Sequence, residues 1–313
     1  MTPHTQNPRI IVICGSTGTG KTAAAISVAQ AVGAEIVSAD SMQVYRYMDI
    51  GTAKPSSEEQ AFVRHHLIDI VNPDEPFDAR LYTVMAGDAI RSIDHQNKVA
   101  LVVGGTGLYI RALRHGLFSL ESGDSIIRDR LKQKALNEGT ENLYMELKRS
   151  DPESAVRIHP NDVYRIIRAL EIFKSTGTPM SVFHQHHHFS TDFYAVRMIG
   201  LYRERELLYE RINRRVDRML ETGFIQEVES LLNRGYSSTL KSMKSLGYRH
   251  IADYVEGRTS LPDAVLSMKQ DTRRYAKRQM TWFRSEKDIL WIDAENMDDV
   301  KKTAEDYLMM KSE

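Results

Sequence analysis

The sequence predicts an α/β fold: a parallel sheet of the P-loop, nucleotide-kinase-like kind, with a small helical insertion domain. Three observations carry this reading. An apolar run, Ile10-Ile11-Val12-Ile13-Cys14, leads into a glycine-rich octet and then an alanine-rich helix start. Two further strand-like runs, 34–39 and 99–103, end in turns of polar and glycine residues. Between 119 and 193 the sequence becomes charged and helix-compatible, and strand-like sequence returns at 195–201. These shifts place the core at residues 1–118 with 194–313 and the insertion at 119–193.

Five consecutive apolar residues suit a strand buried on both faces. The octet that follows, Gly15-Ser16-Thr17-Gly18-Thr19-Gly20-Lys21-Thr22, matches G-x-x-x-x-G-K-[ST]. Its glycines let successive backbone N–H groups turn inward on an anion. Lys21 adds a positive charge, Thr22 offers a hydroxyl to Mg²⁺, and the helix starting at 22–26 presents a terminus that favours negative charge. The second strand, 34–39, ends at Asp40-Ser41-Met42-Gln43. A helix over 78–95 carries Leu81, Val84, Met85 and Ala89 on roughly one face, and a third strand, 99–103, ends in Gly104-Gly105-Thr106-Gly107. Open parallel sheets bind ligands beyond the carboxyl ends of their strands, so the three turns are expected to converge on one pocket.

In the insertion, helices are expected over 126–137 and 141–149. Val163, Ile166, Ile167 and Leu170 repeat at i, i+3, i+4, i+7, giving an amphipathic helix with Asn161 as N-cap and Tyr164, Arg165 and Arg168 on its other side. The run His184, His186, His187, His188 lacks zinc-site spacing and reads as a solvated loop. After the strand at 195–201 comes one long helix, 204–233, bent at Gly223, with a core stripe of Leu208, Ile212, Val216, Met219 and Leu220. Arg211, Arg214, Arg215 and Arg218 flank that stripe. A helix over 262–284 interleaves Arg273, Arg274, Lys277, Arg278 and Arg284 with Tyr275, Trp282 and Phe283, and a last strand covers 289–292.

The bulk composition is globular, with 42% hydrophobic and 27% charged residues. Apolar runs fall far short of the ~20 residues a membrane span needs. The polar start 1–9, with two prolines, does not read as a signal peptide, and the single cysteine, Cys14, reads as a small core residue. A cytoplasmic protein without membrane contact is expected. The 42 basic and 42 acidic residues cancel, yet 241–284 holds ten Lys/Arg against four Asp/Glu, an excess of six. That excess suggests a polyanion docked on one side.

The default chemistry of a phosphate loop is a small-molecule kinase, with Asp40 accepting the acceptor's proton. Basic residues interleaved with aromatics suit instead a nucleic acid whose bases leave the stack. Both halves are satisfied if the loop holds a diphosphate as leaving group while Asp40 deprotonates a nucleophile on an RNA base.

Eight ordered stretches sharpen the choice. They are Gly15 through Thr22, Asp40-Ser41-Met42-Gln43-Val44-Tyr45, Asp49-Ile50-Gly51-Thr52-Ala53-Lys54-Pro55, His65-His66-Leu67-Ile68-Asp69, Val103-Gly104-Gly105-Thr106-Gly107-Leu108-Tyr109, His159-Pro160-Asn161-Asp162, Gly247-Tyr248-Arg249, and Ala276-Lys277-Arg278-Gln279-Met280-Thr281-Trp282-Phe283-Arg284. In kind and order they resemble the bacterial tRNA dimethylallyltransferases over nearly the whole chain. The resemblance implies transfer of dimethylallyl from its diphosphate to N6 of the adenosine 3′-adjacent to the tRNA anticodon, with Mg²⁺ near Thr22. It implies that Asp40 is the general base, that Gly15, Ser16, Thr17, Gly18, Thr19, Gly20, Lys21 and Thr22 hold the diphosphate, and that Thr106 and Arg215 donate to the leaving group or the bridging oxygen. It further implies tRNA contacts at Asp40, Ser41, Met42, Gln43, Thr106, Arg128, Tyr164, Arg165, Ile166, Ile167, Arg168, Lys244, Gly247, Tyr248, Arg249, Lys277, Arg278, Gln279, Trp282 and Arg284, made by a monomer. The loop reads Ser16-Thr17-Gly18-Thr19 where the family commonly has Pro-Thr-Ala-Ser, and Tyr164 stands at a variable position. Against these expectations stand an adenylate isopentenyltransferase, disfavoured by the basic C-terminal segment, and the small-molecule kinase. An RNA-binding module with a vestigial loop is disfavoured by intact Lys21, Thr22 and Asp40.

Overall fold

Ile10 to Cys14 expose no surface, as a strand with neighbours on both edges and helices on both faces requires. They form the middle of β1 (Arg9–Gly15) in a computed structural model that describes residues 7–116, 125–186 and 193–310. The chain divides into two compact units, residues 1–114 with 192–313, and residues 115–191. In the larger unit β1 is followed by α1 (Lys21–Val32), β2 (Glu35–Ser38), α2 (Ser57–Phe62), β3 (His65–His66), α3 (Ala79–His95), β4 (Ala100–Gly104) and α4 (Gly107–His115). The smaller unit holds α5 (Ser125–Glu138), α6 (Thr140–Ser150), α7 (Pro152–Arg157), α8 (Val163–Thr176) and α9 (Met180–His186). The larger unit resumes with β5 (Ala195–Tyr202), α10 (Arg205–Glu221), α11 (Phe224–Asn233), α12 (Tyr248–Val255), α13 (Leu261–Arg284), β6 (Ile289–Asp293) and α14 (Met297–Met309).

Among the described residues the strands form one parallel sheet in the order β3-β2-β4-β1-β5-β6. Val12 lies opposite Val102 on one side and Met198 on the other. Successive side chains go to opposite faces. Ile10, Val12 and Cys14 therefore join a core with Ile90 of α3, Phe224 and Val228 of α11, and Tyr248 and Ile251 of α12. Ile11 and Ile13 meet the small residues Ala24, Ala25 and Ala29 of α1, with Val300 and Ala304 of α14 beyond. Burial pushes the Cys14 thiol up to about 12, so this cysteine packs as an inert apolar residue. At the sheet's β2–β3 edge, His65 bonds the Val63 carbonyl and His66 the carboxylate of Glu35, so both serve structure.

The insertion leaves and returns at a closed point: the Phe193 N–H donates to the Arg114 carbonyl at 2.9 Å, and the Ala195 N–H to that of Pro8 at 3.0 Å. The smaller unit has its own core of Leu131, Leu143, Leu147, Ile166, Ile167 and Leu170.

The sequence reading does not mark helices α2, α4, α7, α9 and α12, and three further elements differ from it. The cap of α8 is Asp162, whose carboxylate accepts from the Arg165 N–H at 3.1 Å, while the Asn161 N–H is turned toward His159. The segment 204–233 is two helices. Thr222 closes α10, and Gly223, at φ 99°, starts α11 in a left-handed conformation that only glycine adopts cheaply. Finally, α14 follows β6 and covers α1. The histidine side chains of the 184–188 run lie outside the described residues.

Candidate active site

The phosphate loop leaves β1 and ends at Gly20, which caps α1. Lys21 folds back so that its Nζ donates to the Ser16 carbonyl at 2.8 Å. Burial pulls its ammonium down to about 8, with Asp40 opposing and Arg215 reinforcing that fall. Three more cations reach the loop from the end of β5 and from α10. Arg203 donates to the Thr19 carbonyl, Arg211 to the Gly18 carbonyl and Arg215 to the Thr17 hydroxyl, each at 3.1 Å. Burial pushes the guanidinium of Arg215 below its ordinary range, with the charge of Asp40 opposing. The buried Ser16 hydroxyl has no hydrogen-bond partner among the described residues. A helix start and four cations around the loop make an anion cradle.

The turn after β2 sits beside it. Asp40 accepts from the N–H groups of Met42 and Gln43, at 2.8 and 3.3 Å, both on Oδ1. This Asx-type turn uses one carboxylate oxygen to hold the chain. The turn after β4 is tied to the same segment: the Thr106 N–H donates to the Ala39 carbonyl at 3.2 Å, and its hydroxyl accepts from the Ser41 N–H at 3.1 Å. The three strand-end turns thus converge. Farther along, the Gln43 amide donates to the Ala53 carbonyl at 3.2 Å. Glu227 of α11 anchors that loop by accepting from the N–H groups of Asp49, Ile50 and Gly51 at 3.0, 2.7 and 3.2 Å.

The residues expected to meet RNA divide sharply by burial. Lys277, Arg278 and Arg284 lie exposed on α13, and Lys244 and Arg249 are exposed near the start of α12, where Arg249 pairs with Asp271. Trp282 is half-buried with the Arg111 guanidinium 4.2 Å from its ring centre. In the smaller unit Tyr164 is 82% exposed and Arg165 is exposed beside Asp162. Arg128 and Arg168 both pair with Glu171, which is fully buried, at 2.7 and 3.2 Å, so part of their charge is committed to structure.

Four expectations are corrected. Ile166 and Ile167 are packed in the smaller unit's core, because they belong to the apolar stripe of α8. Tyr248 is buried with its hydroxyl donating to Glu227 at 2.5 Å. Gln279, buried, accepts from the Thr17 N–H and donates to the Gly105 carbonyl. The side chains of these four do not face an RNA. Arg203 and Glu227 were not singled out from sequence; the signal for Arg203 was its place one residue beyond a strand end, where the other site residues also lie.

A parallel sheet with a cation-ringed phosphate loop and a carboxylate at the neighbouring strand end defines a P-loop protein built for diphosphate or triphosphate chemistry. The sequence model of the IPP transferase family matches residues 43–286. A tRNA dimethylallyltransferase of Desulfosudis oleivorans is 52% identical over 286 residues, covering 91% of each chain, and one of Geobacter metallireducens is 49% identical, covering 92% of this chain and 93% of that one. Among solved structures, the tRNA isopentenylpyrophosphate transferase of Bacillus halodurans superposes with a TM-score of 0.70 at 38% identity, covering 95% of this chain and 97% of its own. A eukaryotic dimethylallyltransferase acting on tRNA gives 0.80 at 28% identity, covering 96% of this chain and 78% of its own. This chain belongs to the IPP transferase family.

Proposed function

We propose that the chain transfers a dimethylallyl group from dimethylallyl diphosphate to N6 of the adenosine 3′-adjacent to the anticodon of tRNA, releasing diphosphate. The observation that carries this is the placement of Asp40 beside a cation-ringed phosphate loop, in a chain about half identical to tRNA dimethylallyltransferases over nine-tenths of its length.

In the reaction, N6 attacks C1 of the allyl group, the C1–O bond breaks with its electron pair leaving on the diphosphate, and an N6 proton passes to Asp40. The exocyclic amine is a poor nucleophile, so the work lies in stabilising the departing charge and aligning the pair. Lys21, Arg215 and the N–H groups at the start of α1 receive the diphosphate, and Thr106 lies at the adjoining turn as a donor to it. The second carboxylate oxygen of Asp40 is left for the proton while Oδ1 holds the turn.

For Mg²⁺ the chain offers the Thr22 hydroxyl at the start of α1, beside the loop that would hold the diphosphate oxygens. Thr22 would hold the ion together with the diphosphate and water, as suits this cation. When bound it supplies positive charge against the leaving group. The exposed Lys and Arg of α13 and α12 support tRNA docking. No helix among the described residues is long and apolar enough to cross a membrane.

Radiolabelled dimethylallyl diphosphate, Mg²⁺ and unmodified tRNA should yield labelled tRNA. Label passing only to free adenosine monophosphate would replace the tRNA acceptor, and ATP turnover without prenyl transfer would restore the kinase reading.

A further inference from the structure

Gln279 stands in a stretch whose other polar residues face outward, yet its amide is spent inside the molecule. Its Oε1 accepts from the Thr17 N–H at 2.8 Å and its Nε2 donates to the Gly105 carbonyl at 2.9 Å. A donor on one side and an acceptor on the other fix the direction of the amide. A Cβ at position 105 would stand 2.3 Å from Nε2, so this turn closes directly on the amide and a larger residue there would displace it. The pairing of β1 with β4 ends at Cys14 and Gly104, and beyond that point the amide spans the two turns.

What hangs from these two turns is the leaving-group machinery. Thr17, held at its N–H by Gln279, holds Arg215 through its hydroxyl at 3.1 Å. The residue after Gly105 is Thr106, whose own hydroxyl is fixed by the Ser41 N–H. We propose that Gln279 is a positioning residue for the transfer reaction, a strut that sets the phosphate loop and Arg215 against the turn carrying Thr106, and that it makes no contact with RNA. This role rests on the prenyl-transfer reading above. It also explains why α13 can present Lys277 and Arg278 to solvent while its buried edge enters the site: residue 279 is the point where the helix meets the strand ends.

Two variants of the full chain test it. Gln279→Met keeps the length and removes both polar groups. Gln279→Glu keeps the acceptor, and only its protonated form restores a donor toward Gly105. With Q279M, kcat/KM for dimethylallyl diphosphate should fall about tenfold or more, while the Kd for tRNA stays within about twofold. With Q279E, transfer relative to wild type should recover as pH is lowered, a recovery that Q279M lacks. The inference is overturned if Q279M loses tRNA affinity with its kinetics toward the diphosphate intact, if Q279M matches wild type throughout, or if the Q279E pH profile parallels that of wild type. Should Q279M fail to fold, the Q279E profile decides alone. Wild type run alongside separates the failures: no transfer by wild type defeats the prenyl-transfer reading, whereas equal transfer by wild type and variants defeats only the strut.

Discussion

In the proposed reaction Asp40 has a separate job for each of its two oxygens, and substitution can tell the jobs apart. Oδ1 holds the 40–43 turn through two backbone N–H groups. Asp40→Asn keeps an acceptor for that turn and removes the base. It should lower turnover by about a hundredfold or more while tRNA binding holds, as loss of a general base does; an unchanged rate in single-turnover transfer would end the assignment. Lys21 carries the other residue-scale prediction. An ordinary lysine stays charged to 10.5, but burial brings this one to about 8. As pH rises through that value the ammonium loses its proton and the cradle loses charge, so affinity for inorganic diphosphate should decline. Asp40 opposes this fall, hence in Asp40→Asn the decline should begin at lower pH. Calorimetric titration between about pH 7 and pH 9 reads both effects.

Among the elements, α11 is the one whose importance the sequence hid. Glu227 accepts from three consecutive backbone N–H groups and from Tyr248, so one carboxylate secures the 49–51 loop against α11 and α12. Glu227→Ala leaves those donors unpaired and should cost about 3 kcal/mol in urea unfolding, within the range for charged hydrogen bonds lost together. Nothing in the local pattern around Glu227 distinguishes it from Glu229, which follows two residues later; its backbone partners lie 176 to 178 residues back, and only the fold brings them together. The strands and the phosphate loop were legible because apolar runs and glycine spacing are local signals. The break at Gly223 was half legible, since a glycine in a helical pattern marks either a bend or an end. The buried members of the RNA stretches were misplaced for a related reason: a motif gives the order of residues, whereas the helical period decides which of them face water, as Ile166 and Ile167 beside Tyr164 show.

For the molecule as a whole, neutral net charge conceals a basic stretch, 241–284, part of whose cations pair with nearby carboxylates. Arg278 is exposed on α13, and if it meets a tRNA phosphate, Arg278→Ala should weaken binding across tRNA sequences and lower the slope of log K against log salt by ~0.9. An unchanged slope would remove Arg278 from the phosphate contacts. The remaining feature at this scale is the point where residues 115–191 branch from the sheet-bearing unit. The Arg114 carbonyl and the Phe193 N–H are joined at 2.9 Å, so the sheet-bearing unit closes its own hydrogen bonding across the gap. For a protein engineer this is a socket. A cassette of different length can be spliced there with its ends already registered, and since closure entropy grows only slowly with loop length, lengthening it adds little thermodynamic burden. Residues 115–191 can thus be exchanged or resized while the strand order and the phosphate loop stay in place.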